Sequence, residues 1–170
     1  MPSIRPEQAR DIDTVRALLL ASFGREAEAR LADRLHASAN IASALVAEEK
    51  ERILGYVVFS KIVVSAQGGE VNALALAPLA VVPAFQRLGI GSALVSAGLE
   101  RCRSEQHSRV LVLGDPVYFA RFGFAPAKRF GLTCPFPTDD NSFMAIELDP
   151  GAFAGVSGSV RYGHEFDDLE

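Results

Sequence analysis

The chain has 170 residues, of which 49% are hydrophobic and 22% are charged, and this composition is typical of one globular domain rather than a disordered chain. The formal net charge of −4 argues against non-specific binding to nucleic acid, which needs clustered positive charge. No apolar run approaches the roughly 20 residues that span a bilayer, and the first residues lack the apolar core of a signal peptide. Cys102 and Cys134 provide neither a disulfide framework nor the spacing of metal ligands. We therefore expect a cytoplasmic protein with no metal and with no nucleic-acid or membrane partner.

The hydrophobic pattern alternates between helical spacing and runs of β-branched residues. Pro78 interrupts one of these runs, and a bulge or a split of that strand is expected because proline cannot donate a hydrogen bond to a sheet ladder. The elements predicted from these patterns are a strand at 4–6, a helix from a cap at Asp11 or Asp13 to Phe23, a helix over 25–37, strands over 44–47, 53–64 and 71–82, a helix over 89–103, a strand over 109–113, a helix over 116–121, a strand from 124 and a final strand over 143–148.

The order of these elements predicts a single α/β domain with a mixed sheet. Two helices come first, an antiparallel meander of strands follows, and a strand, loop, helix and strand then form a crossover. Beyond Pro150 the chain is rich in glycine and serine, and it becomes acidic at residues 165–168.

The segment Q-R-L-G-I-G-S, at residues 86–92, leads into the third predicted helix. A helix start carries unpaired backbone N–H groups and the positive end of the dipole, and glycines there allow a phosphate to approach the backbone. Arg87 adds a positive charge and Ser92 adds a hydroxyl. A pyrophosphate-bearing cofactor is the natural ligand, and the alternative is that Gly89 and Gly91 form only a turn and a tight packing contact.

A dinucleotide site is a second interpretation of the same segment. Such a site places its first glycine immediately after a strand, whereas residues 83–88 here separate Val82 from Gly89. The full G-x-G-x-x-G pattern is also absent. Asp115 follows a later strand, near where a ribose-binding acid would lie, so an oxidoreductase stays open as a minor alternative.

A second segment, L-G-D-P-V-Y-F-A-R-F-G-F at residues 113–124, accompanies the glycine segment. The bulged strand, V-x-P-x-x-Q-R-x-G-x-G and the buried helix resemble the cofactor segment of the GNAT N-acetyltransferases, and residues 114–124 resemble the later part of that fold. Together with the end D-P-G-A-F-A-G-V-S-G-S-V-R-Y, these motifs look like the bacterial group of predicted GNATs called YhbS-like. The resemblance covers the chain from the first helix to about Tyr162.

The resemblance implies a mostly antiparallel central sheet that splays at its fourth strand, around residues 79–82, and is flanked by helices. It implies a GNAT acyltransferase domain over residues 1–150, with a partly packed C-terminal extension over 151–170. Acetyl-CoA would be the acyl donor, a primary amine would attack its thioester directly, and a backbone N–H would stabilise the oxyanion. Family members often form homodimers. The residues that the resemblance assigns to the cofactor are Leu79, Ala80, Val81, Val82, Gln86, Arg87, Leu88, Gly89, Ile90, Gly91, Ser92, Gly114 and Phe119.

The acid that protonates the departing thiolate is open. In many GNATs it is a tyrosine four residues before the glycine of the G-F pair, and that position here is Phe119. Tyr118 is adjacent, but one residue turns a helical side chain by about 100°. Tyr118 is the candidate catalytic residue if the helix is rotated or begins irregularly. Otherwise Tyr118 packs or contacts the acceptor, and water or the substrate protonates the thiolate.

The base and the acceptor site are also open. Glu48, Glu70 and Asn72 are candidates for a base that acts through water, and the preferred alternative is that each is a solvated turn residue. Arg121, Lys128 and Arg129 are candidates for the 3′-phosphate of CoA. The loop over residues 130–142, with its pair Asp139-Asp140, falls where this fold lines the acceptor site.

Two functions follow as alternatives. One is an N-acetyltransferase that acts on a small-molecule or peptide amine. The other is an acyl-CoA-binding sensor without turnover, which the phenylalanine at position 119 favours.

Overall fold

The computed structural model describes residues 1–167, and within them the sheet runs in the order β1-β2-β3-β4-β5-β8-β6, with β9 beside β3 and β7 beside β9. Neighbouring strands are antiparallel except for β4 with β5 and β7 with β9. The strands are β1 Ser3–Pro6, β2 Ile41–Glu49, β3 Arg52–Ala66, β4 Gly69–Val81, β5 Arg109–Leu113, β6 Ala125–Pro126, β7 Leu132–Thr133, β8 Phe143–Glu147 and β9 Gly158–Arg161, and the helices are α1 Ile12–Phe23, α2 Ala27–Ser38, α3 Ile90–Ser104 and α4 Pro116–Ala120. This architecture confirms the predicted α/β domain with a mixed, mostly antiparallel sheet.

The two faces of the sheet carry separate hydrophobic cores. On one face α1 and α2 bury Leu19 and Leu35, and on the other α3 buries Leu94 and Cys102. β3 is apolar nearly throughout because it is covered on both faces. On the α3 side Gly98 allows the Phe59 ring to approach closely, since a Cβ at this position would stand 2.2 Å from a ring carbon.

The sheet opens beyond the middle of β4. β4 and β5 pair only at Leu74 with Val110 and at Ala75 with Leu111 in the described chain. The register of β3 against β4 shifts between the pair Val57–Leu79 and the pair formed by Phe59 and Leu76. The bulge expected at Pro78 is therefore confirmed, and the register shift lies just before residues 79–82.

The C-terminal region adds a strand that the sequence analysis missed. β8 was predicted as the last strand, and this was wrong because β9 pairs with both β3 and β7. Gly158 meets β3 so closely that a Cβ would stand 2.0 Å from the Ser65 carbonyl oxygen. Only Val160 of β9 is buried, so the strand shows little hydrophobic pattern. The division of the chain at residue 150 stays a prediction, and the last acidic residues, 168–170, lie outside the described residues.

The segment after β9 is held against the end of α2. Glu165 is buried, and its carboxylate accepts a hydrogen bond from Asn40 Nδ2 at 2.6 Å. Burial alone would raise the pKa of Glu165, but the hydrogen bonds from Ser38 and Asn40 outweigh this effect, and the pKa of Glu165 is lowered overall. Phe166 packs beside it in the core, so the end of the described chain is folded onto the domain.

Two polar clusters stabilise the N-terminal part. Glu7 Oε1 accepts hydrogen bonds from the Tyr56 hydroxyl at 2.9 Å and pairs with His36 Nε2 at 2.8 Å, and this hydrogen bond raises the pKa of His36. Arg5 donates to Asp11 at 2.8 and 3.0 Å, and these hydrogen bonds hold the pKa of Asp11 below its usual range. The first cluster joins the residue after β1 to α2 and β3, which are distant in the sequence, and the second joins β1 to the residue before α1.

Candidate active site

Two cavities meet where the sheet opens. The first, which we call the helix-end cleft, has a volume of about 470 Å³ and lies at the start of α3. The second, which we call the aromatic cavity, has a volume of about 420 Å³ and lies between the opened strands and the N-terminal helices. Leu79 and Tyr118 line both cavities, so a ligand in one can contact a ligand in the other at this junction.

The helix-end cleft attracts anions. Gly89 caps α3 with a φ of 89°, and the N–H groups of the first turn that follows have no acceptor within the helix. Arg87 holds a φ of 64°, a strained backbone conformation that often occurs at functional sites. Arg87 and Arg121 both line the cleft, and none of the described side chains that line it is a carboxylate. Despite the net negative charge of the chain, this cleft is positive.

Tyr118 is positioned by its own short helix. Asp115 caps α4 by accepting a hydrogen bond from the Val117 N–H at 2.9 Å, and Pro116 stands at the first helical position. The Tyr118 hydroxyl lies 3.3 Å from Ser92 Oγ, and the Arg121 guanidinium covers the Tyr118 ring at 4.4 Å from its centroid. The hydroxyl therefore points at the first turn of α3.

Gly91 lies where the Tyr118 hydroxyl approaches the first turn of α3. A Cβ at this position would stand 3.1 Å from the Tyr118 hydroxyl oxygen and 3.8 Å from the side chain of Val81. The absence of a side chain leaves room beside the N-terminus of α3, where a phosphate group can reach the backbone.

The edge of β4 is fixed by two side chains. The Val81 carbonyl accepts hydrogen bonds from Ser22 Oγ and from Gln86 Nε2, each at 3.0 Å. Gln86 thus clamps the glycine loop onto the strand from which it comes.

The structure brings most of the predicted cofactor residues together. Tyr118 stands at the junction of the two cavities, and Phe119 lines the aromatic cavity instead of the helix-end cleft. The predicted residues that line the helix-end cleft are Leu79, Ala80, Val81, Gln86, Arg87, Gly89, Gly91 and Ser92.

Four predicted cofactor residues direct no side chain into either cavity. Val82 donates its N–H to the Leu54 carbonyl at 2.8 Å, so this N–H is already engaged. Leu88 is 61% exposed, whereas the side chain of Ile90, the first residue of α3, is buried in the core. Gly114 packs against the Phe119 ring, where a Cβ would stand 2.4 Å from a ring carbon.

The aromatic cavity contains residues that the sequence analysis did not assign to the site. Most of them are apolar, which does not distinguish a cavity wall from a core, and two of them lie in the segment predicted as an extension. Phe136 comes from the predicted acceptor loop and is the part of that prediction that reaches the cavity. The additional lining residues from outside β4 and β5 are Phe23, Arg25, Glu28, Leu31, Phe136, Tyr162 and Phe166.

Glu28 is the notable polar member of this wall. Its side chain is only 8% exposed, and Arg25, at 57%, stands toward solvent. Arg25 donates to Glu28 through Nε at 3.0 Å and through Nη2 at 2.5 Å, and this pairing raises the pKa of Arg25. A glutamate in the first turn of a helix reads from sequence as a simple dipole partner, which is why it was missed.

The candidate bases lie outside the two cavities. Glu48 pairs with Arg5 and Glu70 pairs with Arg161, while the Asn72 carbonyl accepts a hydrogen bond from Arg109. None of these three candidates lines the helix-end cleft or the aromatic cavity.

The other polar candidates differ in whether they lie near the helix-end cleft. Lys128 and Arg129 do not line the helix-end cleft, whereas Arg121 does. Asp139 closes its own turn by accepting hydrogen bonds from the Asn141 and Ser142 N–H groups, each at 3.0 Å, and hydrogen bonding from Ser142 and its neighbours lowers the Asp139 pKa.

The described part of the chain contains no helix with the length and apolar character needed to cross a bilayer. In residues 1–167, no three histidine, cysteine, aspartate or glutamate side chains are grouped as a metal site requires.

Known proteins resemble this chain in sequence and fold. The chain is 35% identical to the N-acetyltransferase YhbS of Escherichia coli strain K12 over 164 residues, which cover 96% of this chain and 97% of that protein. The crystal structure of YhbS from Escherichia coli in complex with CoA superposes with a TM-score of 0.91 at 34% identity, covering 98% of this chain and 92% of the other. A GNAT family acetyltransferase from Brucella melitensis, solved in complex with acetyl-CoA, superposes with a TM-score of 0.82 at 29% identity, covering 98% and 99% of the two chains.

The family profile described as acetyltransferase (GNAT) family matches residues 11–124, a range that contains α1, the bulged β4, the glycine loop and α4. This match contradicts the alternative of a dinucleotide-dependent oxidoreductase. The chain belongs to the GNAT family of acetyltransferases.

Proposed function

We propose that this protein transfers the acetyl group of acetyl-CoA to a primary amine of a small molecule or peptide. The observation that carries the proposal is the meeting of an anion-attracting cleft and a largely apolar cavity at Leu79 and Tyr118. The relatives solved with CoA and with acetyl-CoA support the choice of donor.

The helix-end cleft fits the donor chemically. The pyrophosphate of CoA would lie against the first N–H groups of α3, in the space that a side chain at Gly91 would fill. Arg87 and Arg121 would add positive charge beside it. The pantetheine arm would follow the open edge of β4 toward Leu79, which brings the thioester to the junction of the two cavities.

The amine enters through the aromatic cavity and attacks the thioester carbonyl carbon in its neutral form. A carbon–nitrogen bond forms, and a backbone N–H of β4 near Leu79 and Ala80 stabilises the oxyanion. As the carbon–sulfur bond breaks, the departing CoA thiolate takes a proton from a donor group, and the proton that the amine nitrogen loses returns to that donor through water. The Tyr118 hydroxyl is the proton donor in this proposal, because Tyr118 lines both cavities and Phe119 has no hydroxyl.

Calorimetry with acetyl-CoA, CoA and NAD tests the donor, and the release of free thiol in the presence of a panel of amines tests the transfer. We expect binding of acetyl-CoA and CoA, no binding of NAD, and thiol release that depends on the amine. Binding of NAD without CoA would refute the proposal. Binding of CoA with no thiol release for any amine or peptide would favour the acyl-CoA sensor instead.

We also propose that the protein works in the cytoplasm, because Cys102 and Cys134 are both free thiols, as in a reducing compartment. Fractionation of cells that produce the protein tests this location, and recovery outside the cytoplasm would refute it. The homodimer stays a prediction, which light scattering coupled to size-exclusion chromatography measures directly.

A further inference from the structure

The aromatic cavity has an unusual composition for a place that receives an amine. Its walls are apolar and aromatic, with Phe23, Phe136, Tyr162 and Phe166 around the opening between the strands and the N-terminal helices. Aromatic faces attract cations, and they also cover the carbon skeleton of a ligand. A cavity of about 420 Å³ suits a small organic molecule.

A single carboxylate breaks this apolar surface. Within residues 1–167, Glu28 is the one acidic side chain among those that line the cavity, and it is nearly buried. Arg25 occupies one lone pair on each of its two oxygens, and an ionised carboxylate has about four such acceptor sites. Glu28 therefore has acceptor capacity left for an ammonium group inside the cavity.

We propose that Glu28 binds the ammonium group of the acceptor and thereby selects a primary amine carried on a compact apolar or aromatic body. This inference rests on the proposed acetyl transfer. Arg25 is a positioning residue, because it holds the carboxylate in place from the solvent side. The ammonium loses one proton to solvent, and the neutral amine then attacks the thioester beside Tyr118, at the junction with the helix-end cleft.

Two other acceptor classes fit the wall less well. A polyamine carries several cationic groups, and the cavity offers one carboxylate for them. An α-amino acid needs a cation for its own carboxylate, and the cationic side chain in this wall, Arg25, is already paired with Glu28.

The test compares 2-phenylethylamine, phenylalanine and spermidine as acceptors for the wild-type protein and for Glu28→Gln. We expect 2-phenylethylamine to have the highest kcat/KM of the three in the wild type. Glu28→Gln should raise its KM by at least about tenfold, because hydrogen bonds to charged groups contribute more than neutral ones. Preference for phenylalanine or spermidine, or an unchanged KM in Glu28→Gln, overturns the proposal.

Glu26→Gln is the matched control. It makes the same chemical change at the start of the same helix, where Glu26 is exposed and pairs with Arg30. Glu26→Gln should leave the KM for 2-phenylethylamine within about twofold of wild type, as expected for an exposed ion pair. Binding of acetyl-CoA by Glu28→Gln should match the wild type and shows that this variant is folded.

The same proteins separate this inference from the proposed function. If no amine releases thiol, acetyl transfer is refuted, and calorimetric titration of 2-phenylethylamine into the CoA complex still tests Glu28. Binding that weakens at least about tenfold in Glu28→Gln supports the ammonium site without turnover. If thiol is released but Glu28→Gln binds and reacts like the wild type, transfer stands and the role of Glu28 is wrong.

Discussion

Gly91→Ala should weaken the binding of acetyl-CoA and leave the stability of the fold nearly unchanged. Gly91 lies in the first turn of α3 and has no positive φ, so alanine is compatible with its backbone. Replacing a helical glycine by alanine stabilises a helix by up to about 1 kcal/mol. The new Cβ would stand 3.1 Å from the Tyr118 hydroxyl oxygen, and this side-chain end can move by a few tenths of an ångström. We expect the free energy of unfolding to change by less than about 1 kcal/mol.

The cost of Gly91→Ala should instead appear in the binding of acetyl-CoA. The methyl group would occupy the space in which a phosphate reaches the helix N-terminus. Loss of one charge-assisted hydrogen bond costs about 1.5–3 kcal/mol, which corresponds to roughly a tenfold to hundredfold increase in Kd. Calorimetry measures this Kd, and urea unfolding followed by circular dichroism measures the stability.

Gly98→Ala is the reciprocal control on the same helix. Gly98 faces the core, and a Cβ there would stand 2.2 Å from the ring of Phe59, which is fully buried. Overpacking of this kind costs about 1–3 kcal/mol, so this variant should lose stability but keep its affinity for acetyl-CoA while folded. A Kd for Gly91→Ala within about threefold of wild type, in a protein of unchanged stability, refutes the phosphate site at Gly91.

Further predictions concern the acid and the two polar clusters. Tyr118→Phe should lower kcat by about a hundredfold with little change in the KM for acetyl-CoA, and an unchanged kcat across pH would remove Tyr118 from proton transfer. The pKa of His36 is raised above its ordinary 6.5 by the hydrogen bond with Glu7, so its stabilisation is complete below that value and is lost as pH rises through the higher folded-state pKa. Urea unfolding should therefore show a larger loss of stability from wild type to His36→Gln at about pH 5.5 than at about pH 8.5. The opposite trend would contradict this assignment. The pKa of Asp11 is lowered from 3.8 by hydrogen bonds from Arg5, so its stabilisation is present above that value and is lost as pH falls. Asp11→Asn should cost about 2 kcal/mol near pH 7 and less near pH 3 in the same assay, and an equal cost at both pH values would show that the charge is irrelevant.

The sequence predicted the fold well where local chemistry determines it. The proline at position 78 indicated the bulge, because proline cannot take part in the sheet ladder at a central strand. The failure at β9 has the opposite cause. Its pairing with β3 depends on close backbone contact at Gly158, and a glycine in a Gly- and Ser-rich stretch looks like a loop.

In the candidate site too, some residues could be predicted from the sequence and others could not. The glycine loop and Tyr118 were assigned to one site by their resemblance to the GNAT motifs, and both line the helix-end cleft. Glu28 could not be found in this way. It enters the aromatic cavity only because α2 packs across the opened strands, and no local pattern encodes that packing.

Different parts of the chain line the two cavities, so the specificity of each cavity can change separately. Residues between 79 and 121 line the helix-end cleft, whereas the distinctive walls of the aromatic cavity come from residues 23–31 and 136–166. Substitutions near either terminus can therefore alter which amine is accepted while the donor site is inherited intact. Exchange of residues 134–166 with those of a relative should transfer the preference for the amine without changing the Kd for acetyl-CoA, and a change in that Kd would show that the two sites are not independent.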